Sequence, residues 1–509
     1  MSFMPATRSS PLRRAASLWH VRPRVMAAAL FAGLLLWLAA GIGLRPLALP
    51  DEGRYVGVAW EMLRDGQWLV PTLDGLPFLH KPPLFYWITS LGLTLFGPSP
   101  GAARLAPLLG ALLAAASLYR VTARWSDVRH ARLAVTVLAT QALFFLGAQY
   151  ANMDMLVAGL TTAAIAFAAD ALLSADAGRP HRATLLAAAV SAALAVLAKG
   201  LIGIVLPLLV IAGWLLATRR WRWARRLVWW PALLLFAAVA LPWFIAVQWR
   251  VDGFLDYFIV RQHLQRYAGS GFNNVQPWWF YLAVLAVLTL PWSVTLWLAV
   301  RRRGPLHALM WAWVLGVLLF FSLPSSKLAG YILPALPPLA WLAADGLRGV
   351  SRARVGALVA MAVLMCGIGL GVAHRQNENR STQALADVLL RERQPTEPLV
   401  FMGRYYYDLP LLARLREPVP VIDDWSDPAI ARSDDWHREL ADAARFAGPA
   451  RAEATLLPPQ VAQALGCGTW VLAPLKAPPP RAARLVAANA GDGLWRVDDC
   501  AAARGSSGP

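Results

Sequence analysis

Charged side chains make up only 15% of this 509-residue sequence, and long stretches carry none at all. A soluble chain of this length could not hide so much apolar surface, so that class is excluded. Acidic residues are the scarcer sign: 29 Asp and Glu stand against 48 Lys and Arg, a net charge of +19. Cysteine is nearly absent. Of the three, Cys366 lies in an apolar run, and no CxxC or Cys/His metal spacing occurs. No internal repeat is visible. What abounds is apolar: 58% of residues are hydrophobic and the mean hydropathy is +0.48. The surplus of positive charge brings nucleic acid to mind. Its placement argues otherwise, because the Arg residues sit in short loops between apolar runs, as in Arg219–Arg226 and Arg301–Arg303. That is the positive-inside pattern of membrane insertion, and Trp residues such as Trp229, Trp230, Trp278 and Trp279 mark run ends as interfacial belts do.

A basic leader of residues 1–24 precedes the first run, Val25–Leu44, which is read as a retained signal anchor with a cytoplasmic N-terminus rather than a cleaved signal. Ten more runs follow, at about Ala103–Thr122, Leu133–Tyr150, Met155–Leu173, Ala183–Ala198, Leu201–Ala217, Val228–Val247, Trp278–Val300, Leu306–Leu323, Leu328–Leu347 and Val355–Ala373. Pro82–Phe96 is short for a span, which needs roughly 20 residues. If it crossed, the basic loops at Arg120–Arg132, Arg219–Arg226, Arg301–Arg303 and Arg348–Arg354 would all face outward. It is therefore expected to lie along the outer surface, as is Arg54–Asp65, whose apolar residues share one face. Outside the membrane fall Leu49–Ala102, Asn152–Asp154, Gln248–Pro277, Ser325–Lys327 and the tail after Ala373. The expected organisation is a polytopic α-helical membrane domain over 25–373, a small periplasmic α/β domain over 374–500 and a disordered end over 501–509. In the tail, Leu399–Met402, Val419–Ile422, Thr469–Leu472 and Leu494–Val497 read as strands and Trp436–Phe446 as a helix. Cys467 and Cys500 would face an oxidising compartment; a disulfide and two buried thiols are both open.

The chemistry-bearing residues collect on the outer side. Asp51-Glu52-Gly53-Arg54-Tyr55 follows the first run, and His80-Lys81-Pro82-Pro83 opens the interfacial segment. Taken alone, the first is solvated loop charge as readily as a site, and Lys81 could simply snorkel. Asp154 opens a span, where a helix cap is the bland reading. Arg261-Gln262-His263-Leu264-Gln265-Arg266 runs against the positive-inside rule, and an outward basic cluster suits an anionic ligand. Lys199 and Ser325-Ser326-Lys327-Leu328-Ala329-Gly330-Tyr331 add cations at span ends. Two acids and several cations on one face are what a proton acceptor and a negatively charged leaving group require.

At these residues, in order from about Pro50 to Leu347, the sequence resembles the bacterial membrane glycosyltransferases related to lipid A aminoarabinose transferase and, more distantly, the protein O-mannosyltransferases. The resemblance implies a multi-span GT-C fold with about 11–13 transmembrane helices and an outer cavity. It implies an inverting transfer of a sugar from a polyprenyl (undecaprenyl) phosphate carrier. Asp51 would stand at the reaction centre, with Asp154 beside it and Glu52 in support. Lys81, Arg266 and Tyr331 would bind the donor phosphate, and Arg54, Tyr55, His80, His263, Lys199 and Lys327 would line the cavity. His80 and His263 are also of a type that ligates a divalent metal, although a hydrogen-bonded pair is commoner, and no metal is assigned. The acceptor is expected to be lipid A or a related glycolipid, with protein Ser/Thr as the alternative. A lipid-linked-sugar flippase would want ionisable groups at mid-membrane, and here Asp170 is the main such residue. A mere anchor for the tail leaves the acid and Lys-Pro-Pro segments without a purpose.

Overall fold

The structure is a computed structural model that describes residues 11–265, 274–299 and 302–498, with side chains described for the same residues except 11–24 and 263–265. The first half of the chain is a series of helices: α1 (Pro11–Ala39), α2 (Asp51–Asp65), α3 (Leu84–Phe96), α4 (Pro100–Ala103), α5 (Leu105–Trp125), α6 (Val128–Ala139), α7 (Ala142–Ala148), α8 (Met153–Asp176), α9 (Arg182–Lys199), α10 (Ile202–Ala217) and α11 (Trp230–Arg250). By length and apolar composition, six described helices can cross a membrane: α5, α8, α9, α11, Pro305–Ser322 and Arg352–Glu378. Two sharply bent pairs raise the number to eight, α6 with α7 at 72° and Phe280–Leu288 with Trp292–Leu298 at 103°.

The eleven expected runs all fall on helical segments, but several are not continuous spans. Leu328–Leu347 divides into a 3-10 turn, Ala329–Ala335, and a helix, Leu336–Gly346, where Pro334, Pro337 and Pro338 remove backbone donors. The second bent pair breaks at Pro291 for the same reason. The first breaks at Thr140, whose hydroxyl donates back to the Thr136 carbonyl at 2.7 Å and accepts the indole N–H of Trp292 at 3.1 Å. α1, α10 and α3 supply shorter apolar stretches. α8 is the central, almost wholly enclosed helix. Arg352–Glu378 lies at the periphery with most of its length uncovered, its apolar residues Leu364, Ile368 and Val372 exposed as lipid-facing positions would be.

The connection between α1 and α5 is structured throughout. α2 begins with Asp51 and Glu52 in its first turn, where the helix dipole favours acids, and ends on Gly66 in the left-handed region. A short hairpin of β1 (Thr72–Leu73) and β2 (Leu76–Pro77) leads through Pro82 and Pro83 into α3.

After Arg352–Glu378 the chain forms an α/β unit. Its six-stranded sheet runs β5-β4-β3-β6-β8-β7, with β3 (Leu399–Met402), β4 (Val421–Ile422), β5 (Leu456–Leu457) and β6 (Trp470–Pro474) parallel. β8 (Asp492–Val497) and β7 (Ala483–Ala488) close it in antiparallel fashion. The expected strand Leu399–Met402 and helix at Trp436 are present; β5 and β7 were not foreseen. Cys467 is in a disulfide, and Cys500 lies outside the described residues.

This unit packs directly on α2 and α3. Val56, Val58, Phe85 and Tyr86 share one buried core with Tyr405, Tyr407, Leu409 and Trp470. The approach is close at Gly53, where an added Cβ would stand 2.8 Å from that of Tyr407 and 2.5 Å from Leu49. Trp60 donates to the Leu415 carbonyl at 3.2 Å, and the Val419 N–H donates to Asp74 at 2.8 Å.

Candidate active site

The first turn of α2 distributes its side chains in different directions. Asp51 faces a cavity of about 320 Å³ and pairs with Arg54 at 3.4 Å. Glu52 points the other way and is fully buried. It accepts from Arg45 at 2.5 and 3.2 Å, from Arg104 at 2.9 and 3.0 Å, and from the backbone N–H groups of Ala48 and Ala151 at 2.7 and 2.6 Å. Burial opposes its ionisation, but Arg104 and Arg45 more than offset this and hold its carboxyl down at about 2. Glu52 does not line the cavity, which corrects the grouping of this residue with the reactive acids. It ties three segments together: the chain before α2, the start of α5, and the loop before α8.

That loop delivers the second acid. Asn152 caps α8 by accepting the Asp154 N–H at 3.0 Å, so the cap is Asn152 and not Asp154. The Asp154 carboxylate, 8% exposed, accepts from the Asn152 side-chain amide at 3.0 Å and from the Lys199 ammonium at the end of α9. Lys199 in turn lies over the Tyr331 ring at 4.3 Å. Gly330 is required here, since a Cβ at this position would meet the Asp154 Oδ2 at 2.5 Å. The Ser-Ser-Lys-Leu-Ala-Gly-Tyr turn is thereby pressed onto the acid. Lys327 is buried below that turn, donating to the backbone carbonyls of Gln276 at 2.9 Å and Ser325 at 3.5 Å, and does not line the cavity.

His80 and Lys81 line the cavity from the β2–α3 connection. His80 stacks on Phe78 at 4.5 Å, and its Nε2 lies 2.8 Å from the Tyr257 hydroxyl, which also accepts from Gln262 at 2.9 Å. Arg261 and Gln262 stand on the helical turn Tyr257–Gln265. The His263 side chain and Arg266 lie outside the described residues. Among those described, no group of three or more His, Cys, Asp or Glu is gathered as a metal would require.

The remaining wall comes from the tail, which sequence reasoning did not assign to the site. Asp434, Asp435, Arg438, Glu439 and Asp442, on and before the helix Trp436–Ala444, all line the cavity. Glu439 pairs with Arg54 at 2.7 Å and accepts from the Tyr407 hydroxyl at 2.5 Å. Its burial pushes the carboxyl up despite Arg54. Asp442 holds Arg261 at 3.3 Å. Their spacing, i and i+3 on a helix led by Asp434-Asp435, was the available signal.

Asp51, Asp154, Arg54, Tyr55, His80, Lys81, Lys199 and Tyr331 therefore share one cavity beside the ends of the membrane helices, with carboxylates and cations interleaved. This arrangement can hold an anionic group against two acids in a partly enclosed pocket, where charge interactions gain strength over bulk water.

Comparison with known proteins bears on the same segments. The family described as dolichyl-phosphate-mannose-protein mannosyltransferase matches residues 44–258. An undecaprenyl phosphate-alpha-4-amino-4-deoxy-L-arabinose arabinosyl transferase of Pseudomonas aeruginosa (strain LESB58) is 36% identical over 330 residues, covering 62% of this chain. The chain thus spans 58% of that relative's length. The protein of the same description from Pseudomonas savastanoi pv. phaseolicola is 33% identical over 374 residues, covering 69% of this chain and 67% of the relative. In fold, the chain is similar to the crystal structure of ArnT from Cupriavidus metallidurans bound to undecaprenyl phosphate. The TM-score is 0.78 at 22% identity, over 93% of this chain and 98% of that one. The multi-pass helical architecture, the tail sheet and 33% identity over 69% of the chain lead to one assignment: the chain belongs to the family of the undecaprenyl phosphate-aminoarabinose arabinosyl transferases.

Proposed function

We propose that this protein transfers a sugar from a polyprenyl phosphate, undecaprenyl phosphate by analogy with its relatives, to lipid A or a related glycolipid at the periplasmic face of the bacterial inner membrane. The observation that carries the reading is the single cavity that joins Asp51 and Asp154 to Lys81, Lys199, Arg54 and Tyr331. The orientation is supported by charge: the loops rich in Arg, Arg219–Arg226 among them, fit the cytoplasmic side by the positive-inside rule. The N-terminus is then cytoplasmic and residues 374–500 are periplasmic.

In the proposed reaction an acceptor oxygen attacks the anomeric carbon from the side opposite the phosphate. The carbon–oxygen bond to phosphate breaks, and its electron pair leaves on the polyprenyl phosphate, so the configuration inverts. Lys81 and Tyr331, with Arg266, bind the phosphate and stabilise its growing charge: Lys as a point charge, Arg bidentately, Tyr by one hydrogen bond. For a hydroxyl acceptor, Asp51 takes the proton. For a phosphate acceptor, already ionised, Asp51 orients the reactants. Asp154 is held beside it by Lys199.

The test is mass spectrometry of envelope lipids and proteins from cells with and without the protein, and from cells carrying Lys81→Ala. Loss of one glycosyl increment from a lipid in both cases is expected. Loss from a protein would move the acceptor to Ser/Thr, as the matched mannosyltransferase family description suggests. Unchanged products throughout would reject a transferase.

A further inference from the structure

A second cavity, of about 630 Å³, opens on the other side of the segment that carries Asp51. It lies between the end of α7 and the last turns of Arg352–Glu378, and is lined by Arg45, Leu146, Tyr150, Ala373, Asn377 and Arg380 among others. None of the described residues that line it is acidic.

The charge of its floor can be counted. Arg45 and Arg104 both pair with Glu52, so two guanidinium groups stand against one carboxylate. One positive charge is left over in a region where all three side chains are buried. Arg380 at the rim makes no ion pair among the described residues and adds a second. The Tyr150 ring lies against Arg45, 5.7 Å from its guanidinium, and lines the groove. Backbone carbonyls of Ile42, Arg45, Pro46 and Gln149 take up several of the guanidinium hydrogen bonds but not the net charge, and an anion at the groove would balance it; guanidinium groups suit phosphate.

The surroundings say where that anion comes from. Below the groove, Leu364, Ile368 and Val372 form an exposed apolar strip along the peripheral helix, and Gly369 packs on Leu146. Acyl chains can run along this strip while the head stays among Arg45, Asn377 and Arg380. The groove also shares its wall with the active-site cavity. Leu49 and Tyr150 line the groove, whereas Pro50, Asp51 and Asn152 to Asp154 line the cavity. Two residues of chain reach at most ~7 Å, so a disaccharide-sized headgroup anchored in the groove has a second polar group within reach of the reactive acids.

We infer that this groove seats a phosphate of the acceptor glycolipid, between Arg45 and Arg380, while a second group of the same headgroup enters the active site. The inference rests on the transferase reading above and adds the acceptor's route to it.

The experiment uses the purified full chain in nanodiscs and native mass spectrometry. The probes are bisphosphorylated lipid A, the same lipid dephosphorylated, phosphatidylglycerol and undecaprenyl phosphate. The variants are Arg380→Glu, which reverses the rim charge, and Ala373→Trp, which fills the groove without touching an ion pair. Binding of lipid A should fall at least tenfold in both variants and on dephosphorylation, with undecaprenyl phosphate binding and melting temperature unchanged. Lipid A binding equal to that of the parent chain in both variants would overturn the inference. So would displacement of lipid A by phosphatidylglycerol at equal concentration, which would make the groove a general site for anionic phospholipid. Turnover separates the two levels. If lipid A binds through the groove but receives no sugar, the transferase reading fails and the groove stands. If it receives sugar with an unchanged KM in Arg380→Glu, the groove fails and the transferase stands.

Discussion

Neighbouring side chains on an α-helix point about 100° apart, and that angle separates Asp51 from Glu52. In the sequence they are one acidic pair. In the fold Asp51 reaches the cavity, while Glu52 enters a buried ionic cluster on the far side of the turn. The two should therefore fail differently on substitution. Asp51→Asn is expected to lower turnover with a hydroxyl acceptor by ~10²–10⁴-fold while donor binding survives, and Lys81→Ala to weaken donor binding; single-turnover kinetics and a donor-binding assay separate the two. Glu52→Gln instead leaves Arg45 and Arg104 with a neutral partner and should cost about 3–5 kcal/mol of stability, as broken buried pairs do. The pH dependence has a definite sign. Because Glu52 has a folded-state pKa of about 2 against an ordinary value of 4.5, its contribution is complete above pH 4.5 and is lost as pH falls toward 2. Melting curves from pH 7 to pH 3 should show less acid sensitivity in Glu52→Gln than in the parent chain. Eight of the cavity residues, Asp51, Arg54, Tyr55, His80, Lys81, Asp154, Lys199 and Tyr331, were legible in the sequence because they lie in short polar segments that interrupt an apolar pattern. Glu52 and Lys327 were misplaced because side-chain direction is not visible in adjacency alone.

At the scale of elements, the connection Asp65–Leu84 is held by two buried carboxylates, Glu61, which has Arg64 at 4.0 Å, and Asp74. Glu61 accepts from the Thr72 hydroxyl at 2.8 Å and from the Asp74 and Gly75 N–H groups at 2.6 and 3.0 Å. Asp74 receives the Val419 N–H on one oxygen, and its other oxygen is buried without a hydrogen-bond partner among the described residues. Burial, then the nearby Glu61, pushes the Asp74 carboxyl well above its ordinary value. A carboxyl with a raised folded-state pKa binds its proton more tightly when folded, so stability falls as pH rises through that range. Asp74→Asn keeps an acceptor for Val419 and removes the charge. Its melting temperature should exceed that of the parent chain at pH 7 and converge with it near pH 4, as differential scanning fluorimetry would show. The tail strand Leu399–Met402 and the helix at Trp436 were readable from their apolar patterns. β5 has two residues, too few to carry a period, and most of β7 is exposed or half-buried, so neither shows the alternation that marks a strand. The acids Glu439 and Asp442 show their shared helix face in their spacing, but their place in the cavity depends on packing against α2, some 390 residues earlier, which that spacing does not report.

For the whole molecule, the arginine loops and the tail should lie on opposite sides of the membrane. In intact spheroplasts, Ser426→Cys should react with a membrane-impermeant maleimide and Arg222→Cys should react only after lysis. Native thiols interfere little, since Cys366 is buried and Cys467 is in a disulfide. The reverse labelling pattern would invert the topology and place the cavity in the cytoplasm. The apolar runs were legible from composition, but their number was not the number of spans: against about 11–13 expected, six described helices are long and apolar enough to cross, or eight with the bent pairs. Their bending was not legible, because Thr140, Pro291 and Pro334 redirect helices according to which neighbours can take up the freed backbone groups.

The turn Asp51-Glu52-Gly53-Arg54 is read on every side at once: by the cavity, by the ionic cluster, by Tyr407 through the bare Gly53, and by Glu439 through Arg54. For an engineer assembling hybrids of this chain and a relative, the tail is consequently not a separable module. A transplanted tail would meet a host turn shaped for a different partner, and a misfit of one methyl group at Gly53 would be felt at Asp51. Successful hybrids will have to exchange α2, the β1–β2 hairpin and the tail as a single cassette, with the crossover placed inside α5 and again in the helix Arg352–Glu378.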